Sequence, residues 1–238
     1  VLAKSLMGLL DENGWIDSGS IIYNGMDLAK FKTEDDWLKI RGKEFAFVFQ
    51  EPMTALNPLK TIGRQIEETV VLHQGLKGKE ARLKVIDLLK DVGIQDAEKG
   101  FFKYPHEFSG GMRQRVVIAI AISCNPKVLI CDEPTTSLDV TIQAQILKLL
   151  KNLQMKYKLT IIFITHDLGV VANVADRVAV IYNGDIVEIA SCYDLFYNPK
   201  NSYTKSLISS LQYFAKREEP LYTIESAPPN LYIGNRDG

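Results

Sequence analysis

The stretch VLICDEP, residues Val128–Pro134, decides how the rest of the sequence is interpreted. Its first four residues are all apolar, which is typical of a strand covered on both faces of a sheet. Two adjacent carboxylates, Asp132 and Glu133, follow where this strand ends. Open α/β sheets bind ligands at the carboxyl ends of their strands. The stretch therefore predicts either an acidic site at a sheet edge or an ordinary strand-to-helix corner with an acidic cap.

The two carboxylates suit different chemical tasks. Asp132 can help to hold Mg²⁺, usually through water, because this ion keeps much of its hydration shell. Glu133 can polarise an attacking water molecule. If the edge is a site, we expect a magnesium-binding group beside a general base.

Two more apolar strands are predicted, one on each side of this stretch along the chain. Phe45–Phe49 and Thr160–Ile164 have the same continuous apolar character. Helical patterns separate the strands, at Thr61–His73, Lys79–Val92 and Val140–Lys156. Strands that alternate with helices favour an α/β fold with a mostly parallel sheet and helices on both faces.

The order of these segments predicts a single domain with an inserted helical subdomain. Residues 1–51 and 126–190 form the expected catalytic core, and residues 52–125 form the expected helical subdomain. Arg177–Ala190 has the pattern of a hairpin and predicts a small antiparallel region. Residues 191–238 are assigned to a C-terminal extension.

The first residues have the pattern of a helix that is buried over much of its surface. Val1–Leu10 is mainly apolar, and Asn13-Gly14 supplies a stop signal. A buried helix needs neighbours to cover it. We therefore expect the sequence to be an internal piece of a longer gene product.

Gln50 and His166 each follow one of the other predicted strands. A neutral amide after Phe45–Phe49 can ligate Mg²⁺ or the attacking water. In a parallel sheet, His166 after the strand Thr160–Ile164 would lie within reach of a terminal phosphate. Taken alone, a residue like Gln50 is more often a polar strand end, and a residue like His166 is more often a structural histidine.

A glycine pair stands directly before a helical run at Ser109-Gly110-Gly111. Free backbone N–H groups and the positive end of the helix dipole can face a phosphate there, and glycines allow close approach. Farther along, Ser137-Leu138-Asp139 has the pattern of a capped helix start. Each element by itself is also an ordinary cap or loop. Their combined order and spacing favour a nucleotide site.

These elements occur in the order of an ABC-type ATPase, which the chain resembles over nearly its whole length. The resemblance implies a P-loop NTPase-type (RecA-like) fold that binds ATP and Mg²⁺. By resemblance, the motifs are the Q-loop at Gln50, the signature motif at Ser109, Gly110 and Gly111, the Walker B strand at Asp132 with the catalytic Glu133, the D-loop at Asp139 and the H-switch at His166. It also implies that Gln50 and Asp132 are the metal ligands and that Glu133 and His166 are catalytic.

Longer blocks narrow the resemblance to the ATPases of oligopeptide and dipeptide permeases, although nickel importers share much of the pattern. The blocks are QEPMTALNP (Gln50–Pro58), YPHEFSGGMRQRV (Tyr104–Val116), DEPTTSLDVTIQAQIL (Asp132–Leu147) and THDLGVVANVADRVAVIYNG (Thr165–Gly184). SAPPNL, Ser226–Leu231, is similar to the tail that precedes a cysteine-rich extension in those subunits. The signature departs from the usual LSGGQ, because Phe108 and Met112 replace its first and last letters.

The family's phosphate-binding loop, GxxxxGK[ST], precedes the helix that begins at Val1. We therefore expect this loop to lie outside the sequence, together with the aromatic residue that stacks on adenine. Lys4-Ser5 is not a substitute, because no glycine loop precedes it. The isolated chain is expected to bind ATP poorly and to be inactive.

The resemblance implies that the intact subunit pairs head to tail with a second ATPase subunit, either identical or different. Each nucleotide would lie between the phosphate loop, Asp132, Glu133, Gln50 and His166 of one subunit and the Ser109 signature of the other. Closure would be passed to transmembrane permease subunits and would drive import. The implied location is peripheral, on the cytoplasmic face of the cell membrane.

Composition limits the other possibilities. There are 28 basic and 29 acidic residues, a net charge of -1 that gives no support to a nucleic-acid partner. The cysteines, Cys124, Cys131 and Cys192, lack metal-type spacing and are expected to be reduced thiols. No uninterrupted apolar run approaches the roughly 20 residues that span a bilayer.

Two rival interpretations stay open at this point. A soluble ABC ATPase without a permease, acting in translation or DNA repair, usually carries tandem cassettes, zinc modules or long coiled coils. A non-catalytic scaffold would not need Asp132, Glu133, Gln50 and His166 together. A single cassette with this Q-loop sequence favours transport.

Overall fold

The strands form one central parallel sheet and two small antiparallel sheets, within residues 1–10 and 13–210, which the computed structural model describes. They are β1 (Ile22–Tyr23), β2 (Met26–Asp27), β3 (Phe45–Val48), β4 (Val128–Asp132), β5 (Thr160–Ile164), β6 (Arg177–Tyr182) and β7 (Asp185–Ser191).

Helices separate and follow these strands. They are α1 (Leu2–Ser5), α2 (Glu34–Leu38), α3 (Pro52–Ala55), α4 (Ile62–Gln74), α5 (Gly78–Asp91), α6 (Ala97–Gly100), α7 (Gly110–Ile122), α8 (Val140–Tyr157), α9 (Leu168–Val174), α10 (Cys192–Tyr197) and α11 (Ser202–Ser209). None of the helices among the described residues is long and apolar enough to span a bilayer.

The central sheet has the order β3-β4-β5, and both pairings are parallel. Val48 of β3 lies opposite Cys131 of β4, and Asp132 of β4 lies opposite Ile164 of β5. All three strands were predicted from their apolar runs, and the predicted α/β class is confirmed. Because the strands are parallel, their carboxyl ends reach the same edge of the sheet.

The side chains of β4 alternate between two hydrophobic clusters, one on each face of the sheet. Leu129 and Cys131 belong to a large cluster that includes buried residues of α4, α5, α7 and α8. Val128 and Ile130 belong to a smaller cluster with residues of the N-terminal segment. No side chain of these four is more than 9% exposed. This two-sided burial explains why the strand is continuously apolar rather than alternating.

The chain between β3 and β4 is helical from α3 to α7, as the sequence predicted. Buried residues of α4, α5 and α7 share the large cluster. Helix α4 ends at Gln74 and is capped by Gly75, whose φ of +70° glycine adopts at little steric cost. The status of residues 52–125 as a separate subdomain stays a prediction.

The amino-terminal edge of the sheet is held by a polar contact. Tyr23 donates its phenolic hydrogen to Glu44 Oε2 at 2.6 Å, and Lys127 Nζ lies 3.0 Å from the same oxygen. Burial and the bond to Glu44 raise the pKa of Tyr23 to about 12. The hydrogen bond from Tyr23, followed by the one from Lys127, keeps the pKa of Glu44 below its usual value. Glu44 and Lys127 precede β3 and β4, so the contact joins the two strand starts.

The predicted long helix at the N-terminus is wrong, because helix α1 ends at Ser5. Gly8 has a φ of +60°, and a Cβ there would lie 2.2 Å from the Trp37 ring. The left-handed backbone stops the helix and lets the indole pack against the chain. Arg41 then donates to the carbonyl oxygens of Met7 at 2.8 Å and Gly8 at 2.9 Å.

The chain divides into two compact units, Val1–Ile164 and a second unit that begins at Thr165. In the second unit, β6 and β7 form the predicted antiparallel hairpin. Its described core includes Val180, Leu195 and Ile208. The division into residues 1–51 with 126–190, 52–125 and 191–238 stays a prediction. Ser226–Leu231, which carried part of the resemblance, lies outside the described residues.

The cysteines are free thiols in the structure. Cys131 is fully buried in β4, and this burial raises the pKa of its thiol to about 12. Such a thiol stays protonated at neutral pH and behaves as a small apolar side chain.

Candidate functional site

The first two predicted site residues meet at the carboxyl edge of the sheet. Gln50 lies two residues beyond the end of β3, and Glu133 directly follows β4. The Gln50 side chain donates from Nε2 to Glu133 Oε2 at 3.1 Å. The contact joins residues 83 positions apart in sequence. The parallel pairing of β3 with β4 brings their two ends together.

The backbone of Glu133 is in an unusual conformation. Its φ is +46°, in the left-handed region that a non-glycine residue seldom adopts. Its N–H donates to the carbonyl oxygen of Ile164 at 3.0 Å, which extends the contact with β5 by one residue. Pro134 follows and is buried. Strained residues of this kind cluster at functional sites, where the surrounding structure holds them in place.

The strain at Glu133 leads to a test of stability. We expect Glu133→Gly to unfold with about 1 kcal/mol more free energy than Glu133→Ala, because glycine adopts a positive φ without steric cost. Both variants lose the same carboxylate, so the difference reports the backbone. Denaturant unfolding of both variants in the full-length gene product measures it. At Glu98, in helix α6, we expect the alanine variant to be more stable than the glycine variant, since alanine has the higher helix propensity. Equal stability of the two Glu133 variants would contradict the argument.

Thr136 was not singled out by the sequence, yet it contacts Glu133. Its hydroxyl donates to Glu133 Oε2 at 2.9 Å, so this oxygen accepts hydrogen bonds from both Thr136 and Gln50. The only sequence signal was a hydroxyl three residues after a carboxylate in a turn, a spacing that is common in caps.

Asp132 lies at the end of β4 and is half-buried. Its carboxylate and the amide oxygen of Gln50 are hard oxygen donors of the kind that Mg²⁺ takes. Mg²⁺ is commonly bound by one or two protein ligands and otherwise by water and phosphate. The donor set therefore fits this ion. No group of three or more His, Cys, Asp or Glu side chains that could hold a metal occurs within the described ranges. The assignment of Asp132 and Gln50 as metal ligands stays a prediction.

The predicted glycine-headed helix is present as α7. Ser109 is its N-cap, and the hydroxyl oxygen accepts from the N–H of Met112 at 3.3 Å. Ser109 and Gly110 are exposed, whereas Gly111 is buried. The assignment of Ser109, Gly110 and Gly111 to nucleotide binding stays a prediction.

Gly111 has a packing role that the sequence did not indicate. A Cβ at this position would lie 2.6 Å from Ile142 Cγ2, in the first turn of α8. Asp139 caps α8, because its Oδ1 accepts from the Ile142 N–H at 2.9 Å. A Cβ at Gly110 would meet only Leu138, at an ordinary 3.9 Å. The structure thus brings the start of α7 against the segment that carries Asp139.

His166 belongs to the second unit and is exposed. It stands between Thr165 and Asp167, the N-cap of α9, whose carboxylate accepts from the N–H of Gly169 at 2.8 Å. The Asp167 N–H in turn donates to Thr165 Oγ1 at 3.0 Å. Local hydrogen bonds therefore define the turn that carries His166. The expectation that His166 and Glu133 meet one ligand stays a prediction.

Comparisons with known proteins identify the family of the chain. The family model described as ABC transporter matches residues 1–136. The oligopeptide transport ATP-binding protein AmiE of Streptococcus pneumoniae is 56% identical over 98% of this chain and 65% of its own length. AppD of Bacillus subtilis, also an oligopeptide transport ATP-binding protein, is 51% identical over 99% of the chain and 73% of its own length. The dipeptide transport ATP-binding protein DppD of Escherichia coli is 44% identical over 98% of the chain and 71% of its own length. The chain thus spans about two thirds of the length of these relatives, and slightly less for AmiE.

Solved structures agree with the fold. CbiO1 from Clostridium perfringens, part of an ABC transporter complex, superposes with a TM-score of 0.71 at 29% identity, over 83% of this chain and 74% of its own. The ATP-binding cassette MJ0796, in a dimeric post-hydrolysis state bound to ADP and Pi, gives a TM-score of 0.65 at 27% identity over 75% of each chain. The described architecture is accordingly the P-loop NTPase-type fold of ABC cassettes. The chain belongs to the ABC transporter family, among its ATP-binding subunits.

Proposed function

We propose that this chain forms the larger part of the ATP-hydrolysing subunit of an importer for oligopeptides or dipeptides. The observation that carries the proposal is the hydrogen bond between Gln50 and Glu133 at the carboxyl edge of the parallel sheet. It joins an amide and a carboxylate from two strands at the edge where open α/β sheets bind ligands. The class of solute is supported by the names of relatives that are 44% to 56% identical.

Glu133 is the group that activates water in this proposal. A carboxylate within hydrogen-bond reach of the attacking water can accept its proton as the bond to the terminal phosphate forms. Asp132 and Gln50 would hold Mg²⁺ at the same edge, where the ion would supply positive charge beside the phosphates. The strained turn at Glu133 fixes where the carboxylate stands before the nucleotide arrives.

A second ATPase subunit completes the site. Exposed Ser109 and Gly110 at the positive end of α7 face the nucleotide held by the partner, where backbone N–H groups bind phosphate oxygens. Asp139 lies beside this helix start. His166 is assigned instead to the terminal phosphate of the nucleotide that the chain itself holds. A site shared between two chains forms only on closure, so ATP binding shifts the pair toward the closed state.

Closure is passed to transmembrane permease subunits, and the ATPase works at the cytoplasmic face of the membrane. The helices between Gln50 and Ser109 link the Q-loop to the signature helix, and they pack in one hydrophobic cluster with β3, β4 and α8. A contiguous packed network of this kind can carry energetic coupling.

Uptake measurements test the proposed solute. A strain that lacks the gene is expected to lose uptake of a radiolabelled oligopeptide or dipeptide and to keep nickel uptake. The wild-type gene restores peptide uptake, and the same gene with Glu133→Gln does not.

Each alternative has its own outcome in this experiment. Loss of nickel uptake with normal peptide uptake would assign the subunit to a metal importer. Normal uptake of both solutes would favour a soluble ABC ATPase outside transport. Restoration of peptide uptake by the Glu133→Gln gene would refute the role given to Glu133.

A further inference from the structure

A short turn follows Glu133, and its first two residues are buried. Pro134 and Thr135 are buried, and Thr135 is only 5% exposed. The N–H of Thr136 lies 3.4 Å from the carbonyl oxygen of Glu133, and the N–H of Leu138 donates to the Thr135 carbonyl at 3.1 Å. These contacts fix the backbone of Thr136, although its side chain is exposed.

The hydroxyl of Thr136 reaches back to the carboxylate at the start of the turn. It donates to Glu133 Oε2 at 2.9 Å, within the range of O–H···O hydrogen bonds. Gln50 donates to the same oxygen at 3.1 Å from a different strand end. Two donors on one oxygen define the rotation of the carboxylate better than either donor alone.

We propose that Thr136 is a positioning residue for ATP hydrolysis, whose hydroxyl holds the Glu133 carboxylate in the orientation that receives the attacking water. The inference rests on the proposed function, because it gives Glu133 the task of activating water. Thr136 acts through Glu133 and not on the nucleotide. Its loss should therefore lower kcat and leave the KM for ATP nearly unchanged.

The expected loss of kcat is moderate, because a Thr136 variant keeps the hydrogen bond from Gln50 to Glu133. Small misplacements of a reacting group can cost up to about 100-fold in rate. Since Gln50 still holds Oε2 in a Thr136 variant, we expect Thr136→Val to lower kcat by about tenfold. Valine keeps the branched shape at an exposed position, so the melting temperature should not change. Thr136→Ser keeps the hydroxyl and should keep most of the turnover.

The experiment measures ATP hydrolysis by the full-length gene product in four forms: wild type, Thr136→Val, Thr136→Ser and Thr160→Val. Thr160 is an exposed residue at the start of β5, and its variant makes the same chemical change away from the site. A double-mutant cycle adds Thr136→Val to Glu133→Gln. If Thr136 acts through the carboxylate, the second change should not lower the residual rate further.

The possible outcomes separate the two proposals. A wild-type protein that does not hydrolyse ATP would refute the proposed function. An active wild type with unchanged kcat in Thr136→Val would refute the positioning role alone. A tenfold loss that persists in Thr136→Ser, or that repeats in the Glu133→Gln background, would also refute it. The positioning role would be supported if kcat falls in Thr136→Val, stays near wild type in Thr136→Ser, and falls no further when Thr136→Val is added to Glu133→Gln.

Discussion

Glu133→Gln is expected to reduce the ATP turnover of the full-length gene product by about 10²–10⁴-fold, the usual contribution of a general base. The change replaces one carboxylate oxygen by an NH₂ group of almost the same size. The remaining oxygen can still accept from Gln50 and Thr136, so the turn should persist. The new side chain cannot accept a proton from the attacking water. ATP binding should persist, because the proposed contacts with the phosphates come from other residues. Steady-state hydrolysis and calorimetric titration with ATP check the two halves of the prediction.

Glu98→Gln is the matched control for this experiment. Glu98 is exposed on α6 and lies outside the proposed site, so its variant should hydrolyse ATP at the wild-type rate. Near-normal turnover by Glu133→Gln would refute the role of Glu133. A parallel loss of ATP binding would instead show that the side chain is needed to hold the nucleotide.

The central sheet could be predicted because its strands carry an unusually direct signal. The residues of β4 fill one cluster on each face, so no polar residue interrupts Val128–Cys131. The following Asp132 and Glu133 are only half-buried and mark the strand end, because an unpaired carboxylate is costly to bury fully. A parallel sheet brings the carboxyl ends of its strands to one edge, so Gln50 and Glu133 were expected at the same edge.

Other features depended on contacts that no local pattern contains. The N-terminal segment looks helical by periodicity, but the fit of Trp37 against Gly8 ends the helix. Intrinsic propensity is a weak guide where a tertiary contact of this kind sets the backbone. The hydrogen bond from Thr136 to Glu133 could not be predicted for a similar reason, since it depends on the left-handed backbone at Glu133.

The glycine pair shows how one motif can combine two constraints. The sequence suggested that both glycines make room for a phosphate. The structure leaves Gly110 exposed and buries Gly111 against Ile142 of α8. A pattern of residue types cannot separate the two positions, because the difference lies in a neighbour 31 residues farther along the chain. Stability measurements can separate them.

Gly111→Ala is expected to destabilise the protein by about 1–3 kcal/mol, the usual cost of overpacking a filled core. The added methyl group would lie 2.6 Å from Ile142 Cγ2. This atom is attached to a branched Cβ, whose rotamer is nearly fixed in a helix, so it cannot swing aside. The bond from Ile142 N–H to Asp139 also holds the first turn of α8 in place. Helix α7 must therefore shift, and the melting temperature should fall by about 2–10 °C.

Two further variants distinguish overpacking from a general intolerance of alanine in this helix. Gly110→Ala should leave the melting temperature unchanged or slightly raised, because its Cβ would have only an ordinary contact with Leu138 and alanine favours helix. Ile142→Ala removes the obstructing methyl group. The double variant Gly111→Ala with Ile142→Ala should therefore be more stable than the sum of the two single effects predicts. Strict additivity would contradict this packing explanation.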